Sequence, residues 1–239
     1  MSMNEDVIRA DCKDIWNSFM VRDANFSTSG IPTCPTTAVT LPNELISYPN
    51  ARALVNKHRK NGDAHFFSKA FVHFYVHDHK FDGNVGGVWH KPRKAAEVLR
   101  HFAGIITPDF STYLDFPFPL KIYNTYRMRA FGYWYGEILG NAVINNVRWG
   151  EEDSFSYCFD GIEHNSIVSI GTVASGLRES CNRRLFEVGF FKMIEVLKPE
   201  KIIVYGSDKY PWFDEVRQDI RIIQFDSDTA KRWKKVRHE

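Results

Sequence analysis

Short apolar runs recur along the chain, each closed by a turn or by polar residues and most followed by a stretch with helical spacing. Six runs fit this description: 71–76 (FVHFYV), 104–107 (GIIT), 141–147 (NAVINNV), 166–170 (SIVSI), 201–205 (KIIVY) and 220–225 (IRIIQF). They are rich in β-branched and aromatic residues and lack clean polar/apolar alternation, the pattern of strands covered on both faces. Helical candidates at 92–102, 118–139 and 182–197 lie between them. Strands spaced by helices require crossovers, so the pattern predicts an α/β fold with a mostly parallel sheet of about six βα units. An incomplete or distorted barrel and an open doubly wound sheet both satisfy it. No Gly-x-Gly-x-x-Gly turn follows any strand, which weighs against dinucleotide binding.

The N-terminal part has a different texture. Residues 1–24 fit an amphipathic helix, with Val7, Ile8, Ile15, Phe19 and Met20 towards one side. Residues 25–50 hold four of the ten prolines and many Ser and Thr, which predicts an extended, irregular segment. A short helix over 51–59 follows. The chain thus divides into an N-terminal helix and extended segment (1–61) packing on the main domain, an α/β domain (62–228) and a C-terminal tail (229–239).

Composition narrows the class without naming a reaction. At 44% hydrophobic and 25% charged residues, the chain is globular and neither disordered nor fibrous. No stretch reaches the roughly 18 apolar residues needed to span a membrane. The first residues, MSMNEDVIRADCKD, carry acids where a secretory signal needs basic and then apolar residues, so a cytoplasmic location is expected. The net charge is only +2, but 229–239 carries five basic groups and one acid. Such a tail can touch phosphates or can simply be a solvated terminal helix. The cysteines, Cys12, Cys34, Cys158 and Cys181, include no Cys-x-x-Cys pair. That excludes a zinc knuckle or thioredoxin-type motif and favours reduced thiols.

In parallel α/β folds, ligands bind beyond the carboxyl ends of the strands. The runs above end in Asp78 and His79, Asp109 and Ser111, Arg148 and Trp149, Thr172 and Ser175, Ser207 and Asp208, then Asp226 and Asp228. Carboxylates, an arginine and hydroxyls on one rim suit a sugar, a nucleotide or another phosphate-bearing ligand. Each is also an ordinary turn or helix-capping residue. His77 and His79 share a strand face if the first run extends to them, so they are weak candidates for a metal. Six of the nine histidines lie in 65–101, which leaves few later ligands to complete such a site. In the aromatic-rich 118–139 helix, Ile122, Tyr126, Ala130, Trp134 and Ile138 form a core stripe. Asn124, Arg127 and Arg129 are its polar members, and Arg127 suits an anion or pairing with Asp109 or Asp115.

The segments HFYVHDHKFDG, VWHKP, GIITPDFSTYLDFP, IYNTYRMRAFGYWYGE, NVRWG, SYCFDGI, NSIVSIGT and KIIVYGS, in this order, resemble the family called domain of unknown function 4417. The likeness runs from about residue 42 to 208. Matching positions are Asp78, Phe81, Trp89, Pro108 to Ser111, Asp115, Pro117, Asn124, Arg127, Trp134, Trp149, Phe159-Asp160-Gly161 and Gly206. The FDGNVGGVWHKP stretch is longer than the family's usual spacing. The resemblance implies a setting of bacteria, phages and mobile DNA and carries no activity.

Taken together, these residues lead to an expected hydrolase-like enzyme acting on a nucleotide or nucleic-acid phosphate. Asp78 and Asp109 would act as general acid/base or as ligands of a divalent cation, and Arg148 would stabilise developing charge. Trp149 would stack on a base or sugar, with Ser111, Asn124, Arg127, Asp160, Thr172 and Ser207 as further binding groups. The rival expectation is a non-catalytic nucleotide- or DNA-binding protein, sequestering or regulatory, that uses the same pocket.

Overall fold

The computed structural model describes residues 14–63, 65–83, 87–173, 175–177 and 179–236. Seven strands run through it: β1 (Leu45–Ser47), β2 (Ser68–His73), β3 (Phe102–Ile106), β4 (Val143–Asn146), β5 (Ile167–Gly171), β6 (Lys201–Tyr205) and β7 (Arg221–Phe225). The helices are α1 (Tyr48–Lys60), α2 (Pro92–Leu99), α3 (Phe118–Tyr133), α4 (Ser180–Leu197), α5 (Pro211–Val216) and α6 (Asp228–Val236). A proline occupies the first turn of α1, α2, α3 and α5, where its missing N–H costs nothing. A π turn, Trp134–Ile138, continues α3. The β4–β5 connection carries only a 3-10 turn, Glu152–Ser156. No helix among the described residues is long and apolar enough to cross a membrane.

All strands are parallel and their order in the sheet is their order in the chain, β1 to β7. Right-handed crossovers between successive neighbours put the helices on one face. A doubly wound sheet needs a reversal of strand order, so this order excludes it. The bare face rolls in on itself instead. Tyr75, just past β2, stacks on Tyr205 of β6 with ring centroids 5.2 Å apart, and the His73 ring lies 4.1 Å from Tyr205. In a flat sheet β2 and β6 would stand about 19 Å apart, at roughly 4.8 Å per strand. The sheet is therefore a curled half-barrel, the incomplete barrel of the two expected architectures.

Three buried clusters follow from this curl: two under the helices, one of them packing α1, α2 and α3 on β2 and β3, and one inside the roll. Along β6, Ile202 and Val204 face α4 and α5, packing with Phe190, Met193, Trp212 and Phe213. Ile203 and Tyr205 point the other way, into an inner core with Leu45, Phe71, Tyr75, Ile106 and Ile144. Gly171 is required by that inner packing, because a Cβ there would lie 2.8 Å from the Tyr75 ring. Arg129 of α3 is fully buried, and burial pushes its pKa down to about 10. Its guanidinium donates to the carbonyls of Asn146, Cys158 and Asp160, pinning the 158–160 turn to the end of β4.

Several expectations are corrected. Residues 45–47, read as part of an irregular segment, form the edge strand β1. The strand expected at 71–76 is displaced towards the N-terminus, and Phe74 to Val76 lie outside it. His77 consequently precedes a 3-10 turn, Asp78–Lys80, and His79 lies within it, so the two do not share a strand face. The helix expected over 1–24 falls mostly outside the described residues, and its described end has only one 3-10 turn, Ser18–Val21. The tail from 229, read either as a phosphate-touching segment or as a solvated terminal helix, is helical up to Val236 as α6, in keeping with the second reading. In β1 the Glu44 carbonyl accepts from Phe71 of β2, so the Leu45 carbonyl faces the open edge, where Lys231 of α6 donates to it at 3.3 Å. Asp228, at the start of α6, accepts from Ser47 and Asn50.

Candidate functional site

A cavity of about 250 Å³ opens at the carboxyl ends of β3, β4 and β5, against the first turns of α4. This is a little below the roughly 300–1,000 Å³ of ordinary small-molecule sites. Trp149, Phe186, Tyr113 and Leu114 supply apolar wall, and Asp109, Asn146, Arg148, Ser175 and Asn182 supply polar groups.

Its charged end is built from the strand tips. The backbone N–H of Asn146, the last residue of β4, donates to the Thr107 hydroxyl, which locks β4 to the end of β3. The Asn146 amide nitrogen donates to Asp109 Oδ1 at 2.8 Å, and Arg148 donates to Asp109 Oδ2 at 2.8 Å. From the inner core the Tyr75 hydroxyl donates to Asn146 Oδ1 at 3.0 Å and lies 2.8 Å from the Ser169 hydroxyl. Burial holds the Tyr75 phenol well above its ordinary pKa, so it stays a donor. The facing Asp109 carboxylate raises the pKa of Arg148 above its already high ordinary value. A continuous hydrogen-bonded chain thus runs from Ser169 and Tyr75 through Asn146 and Asp109 to Arg148.

The ring wall depends on α4. Trp149 packs on Phe186 with centroids 4.9 Å apart. It lies over Gly189, where a Cβ would come within 2.1 Å of the indole. A second hollow, of about 340 Å³, adjoins the cavity and is bounded by Glu152, Phe155, Cys181, Arg184 and Val188, with Gly150 and Leu185 common to both.

Of the residues expected at the site, Asp109, Arg148 and Trp149 line this cavity, as does Ser175. Asp78 does not: its two oxygens accept from the Ser111 hydroxyl at 2.7 Å and the Ser111 backbone N–H at 3.1 Å. Asn124 donates to the Ser111 carbonyl. Arg127 donates to Asn124 at 2.6 Å and to Asp82 at 3.0 Å, and stacks 3.8 Å from the Phe110 ring. Its carboxylate is therefore Asp82, not Asp109 or Asp115. These four residues brace the loop that carries Asp109 and Thr112 to the cavity.

The other expected groups lie elsewhere. The Thr172 hydroxyl donates to the Ser207 carbonyl, tying β5 to β6, and the Ser207 hydroxyl accepts from the Lys209 N–H. Asp160 sits in the turn held by Arg129, before Gly161, whose positive φ brings it against the Pro32 carbonyl. His77 and His79 are exposed, with rings 5.7 Å apart. Among the described residues no group of three or more His, Cys, Asp and Glu is placed to hold a metal. Sequence reasoning missed Asn146, Asn182 and Phe186. The Asn-Asn pair closing an otherwise apolar run (NAVINNV) was the available signal for the first.

These features define the class as an α/β half-barrel with a ligand-sized cavity on its C-terminal rim. The chain belongs to the family described as Domain of unknown function (DUF4417), which matches over residues 24–226. Similar proteins include the Gene 1 protein of Mycobacterium phage L5, 32% identical over 150 residues, 62% of this chain and 59% of that protein. The Gene 1 protein of Mycobacterium phage D29 is 30% identical over 141 residues, 58% of this chain and 49% of that protein. The match thus spans about half to three-fifths of those relatives' lengths. No solved structure matches the chain.

Proposed function

We propose that the rim cavity binds a nucleotide, with its base or sugar against Trp149 and its phosphate on Arg148. The observation that carries this reading is the Arg148–Trp149 pair itself. Among the described residues the Arg148 guanidinium makes one ion pair, through a single nitrogen to Asp109, and its side chain is 27% exposed. A guanidinium fork has five donors, so most of its capacity is free for an anion. The adjoining indole is held flat by Phe186 and Gly189, which suits stacking. Binding without turnover is the reading favoured here, because every oxygen of Asp78 and Asp109 is already engaged.

Hydrolase-like action is the second reading, and the Asp109–Arg148 pair favours it. A phosphate that draws Arg148 to itself releases Asp109 Oδ2, which then can take a proton from water or hold a divalent cation. A cytoplasmic setting, where nucleotides and nucleic acids are available, accords with either reading.

Thermal unfolding with nucleoside mono-, di- and triphosphates, with and without Mg²⁺, Mn²⁺ or Zn²⁺, tests both. Tm should rise with ligand concentration. Arg148→Lys, which keeps the charge and loses the fork, should weaken binding roughly tenfold. Phosphate release that Asp109→Asn abolishes while ligand binding persists would select the enzyme. An unchanged Tm with every nucleotide would overturn the proposal.

A further inference from the structure

The cavity does not stop at the first turns of α4. A second hollow adjoins it, with Gly150 and the Leu185 side chain forming the boundary that both share. The two hollows repeat one composition. The first has the Trp149 indole and the Arg148 guanidinium, and the second has the Phe155 ring and the Arg184 guanidinium. Phe155 is fixed in place by stacking on Phe159, with centroids 5.8 Å apart. Arg184 is exposed and makes no ion pair among the described residues.

We infer that the two hollows form one groove for a pair of nucleotides joined by a phosphodiester, either free or as one step of a single strand. The inference rests on the nucleotide reading above and extends it. A nucleic-acid strand alternates a flat base with an anionic linkage, and proteins bind it with aromatic platforms interleaved with cations. A single nucleotide satisfies one ring and one guanidinium of this site and leaves the other pair idle. A dinucleotide engages both.

Cys181, on the wall of the second hollow, supplies the readout. It is exposed, whereas Cys34 and Cys158 are buried thiols whose pKa values are pushed up to about 12 by burial. In a Cys12→Ser background, iodoacetamide labelling of Cys181 is followed with a nucleoside monophosphate, a 5′-phosphorylated dinucleotide or a short single-stranded oligonucleotide. At ten times its Kd, the dinucleotide should slow labelling about tenfold, while the mononucleotide raises Tm and leaves the labelling rate unchanged. Arg184→Gln should remove most of the dinucleotide's protection. Protection by the dinucleotide alone identifies a free dinucleotide, and protection by the oligonucleotide as well identifies a strand. A mononucleotide Tm shift with no protection of Cys181 by either longer ligand overturns the groove and leaves the single-nucleotide site standing. No Tm shift by any of the three overturns the underlying reading.

Discussion

His73 shows how one buried side chain sets a property of the folded state. Its ring is fully buried between Tyr75 and Tyr205, and Nδ1 accepts the Tyr75 N–H at 3.2 Å. The proton of the neutral ring therefore sits on Nε2, which has no hydrogen-bond partner among the described residues. Burial, aided by the Lys231 charge, pushes the pKa down to about 3, against roughly 6.5 for a solvated histidine. Between those values the unfolded chain binds the proton and the folded one does not. Stability is therefore lost as pH falls from about 6.5 towards 3, by up to about 1.4 kcal/mol per pH unit. Urea unfolding at pH 7 and pH 5 should show this slope. His73→Gln, which can still accept from Tyr75, should flatten it whatever its effect at neutral pH.

At the scale of elements, α4 is both a core helix and one wall of the site, and Gly189 lets it be both. A glycine inside a helix costs about 1 kcal/mol against alanine, so its place in FEVGFF asks for a reason, and the reason is the indole above it. Gly189→Ala should drive Trp149 off the helix, lower unfolding free energy by about 1–3 kcal/mol and weaken nucleotide binding. Chemical denaturation and ligand titration of the same variant check both effects. Strands were legible where burial and β-pairing coincide, as in KIIVY, where the expected run and β6 agree residue for residue. They were displaced where burial has another cause. Phe74 is apolar because it packs on Tyr48 and Phe81, and Tyr75 because it crosses the inner core, so FVHFYV outruns β2. β1 is three residues between two prolines, too short to show a period.

For the whole molecule, the run of βα units read from the sequence could not decide strand order, because neighbouring and reversing connections use the same local pattern. What settles the curl is a long-range contact, Tyr75 over Gly171 with its hydroxyl at Asn146 and Ser169. Gly171→Ala should dislodge that ring, cost about 1–3 kcal/mol and, through Asn146 and Asp109, weaken anion binding at Arg148. Denaturation and phosphate titration measure the two together. The rule that ligands sit beyond strand ends led to the rim where the cavity opens, yet a rim this wide holds more than one cluster. Asp109, Arg148 and Trp149 converge because β3 and β4 are neighbours. Asp78 and Thr172 leave the same rim to bind a backbone N–H and carbonyl, a choice that depends on loops with no periodic signature.

A closed barrel has its bore fixed by strand number and shear, and changing it means breaking a main-chain ladder. Here β1 and β7 do not pair, and α6 spans that side through Lys231 to Leu45 and Asp228 to Ser47 and Asn50. Such bonds are worth about 0.5–1.5 kcal/mol each, far less than a strand pairing of several residues. The seam is thus the compliant part of the wall. Widening it leaves all six strand ladders whole and is opposed by the α6 bonds and the inner packing of Tyr75 on Tyr205, whereas a closed barrel of the same strands would have to break a ladder as well.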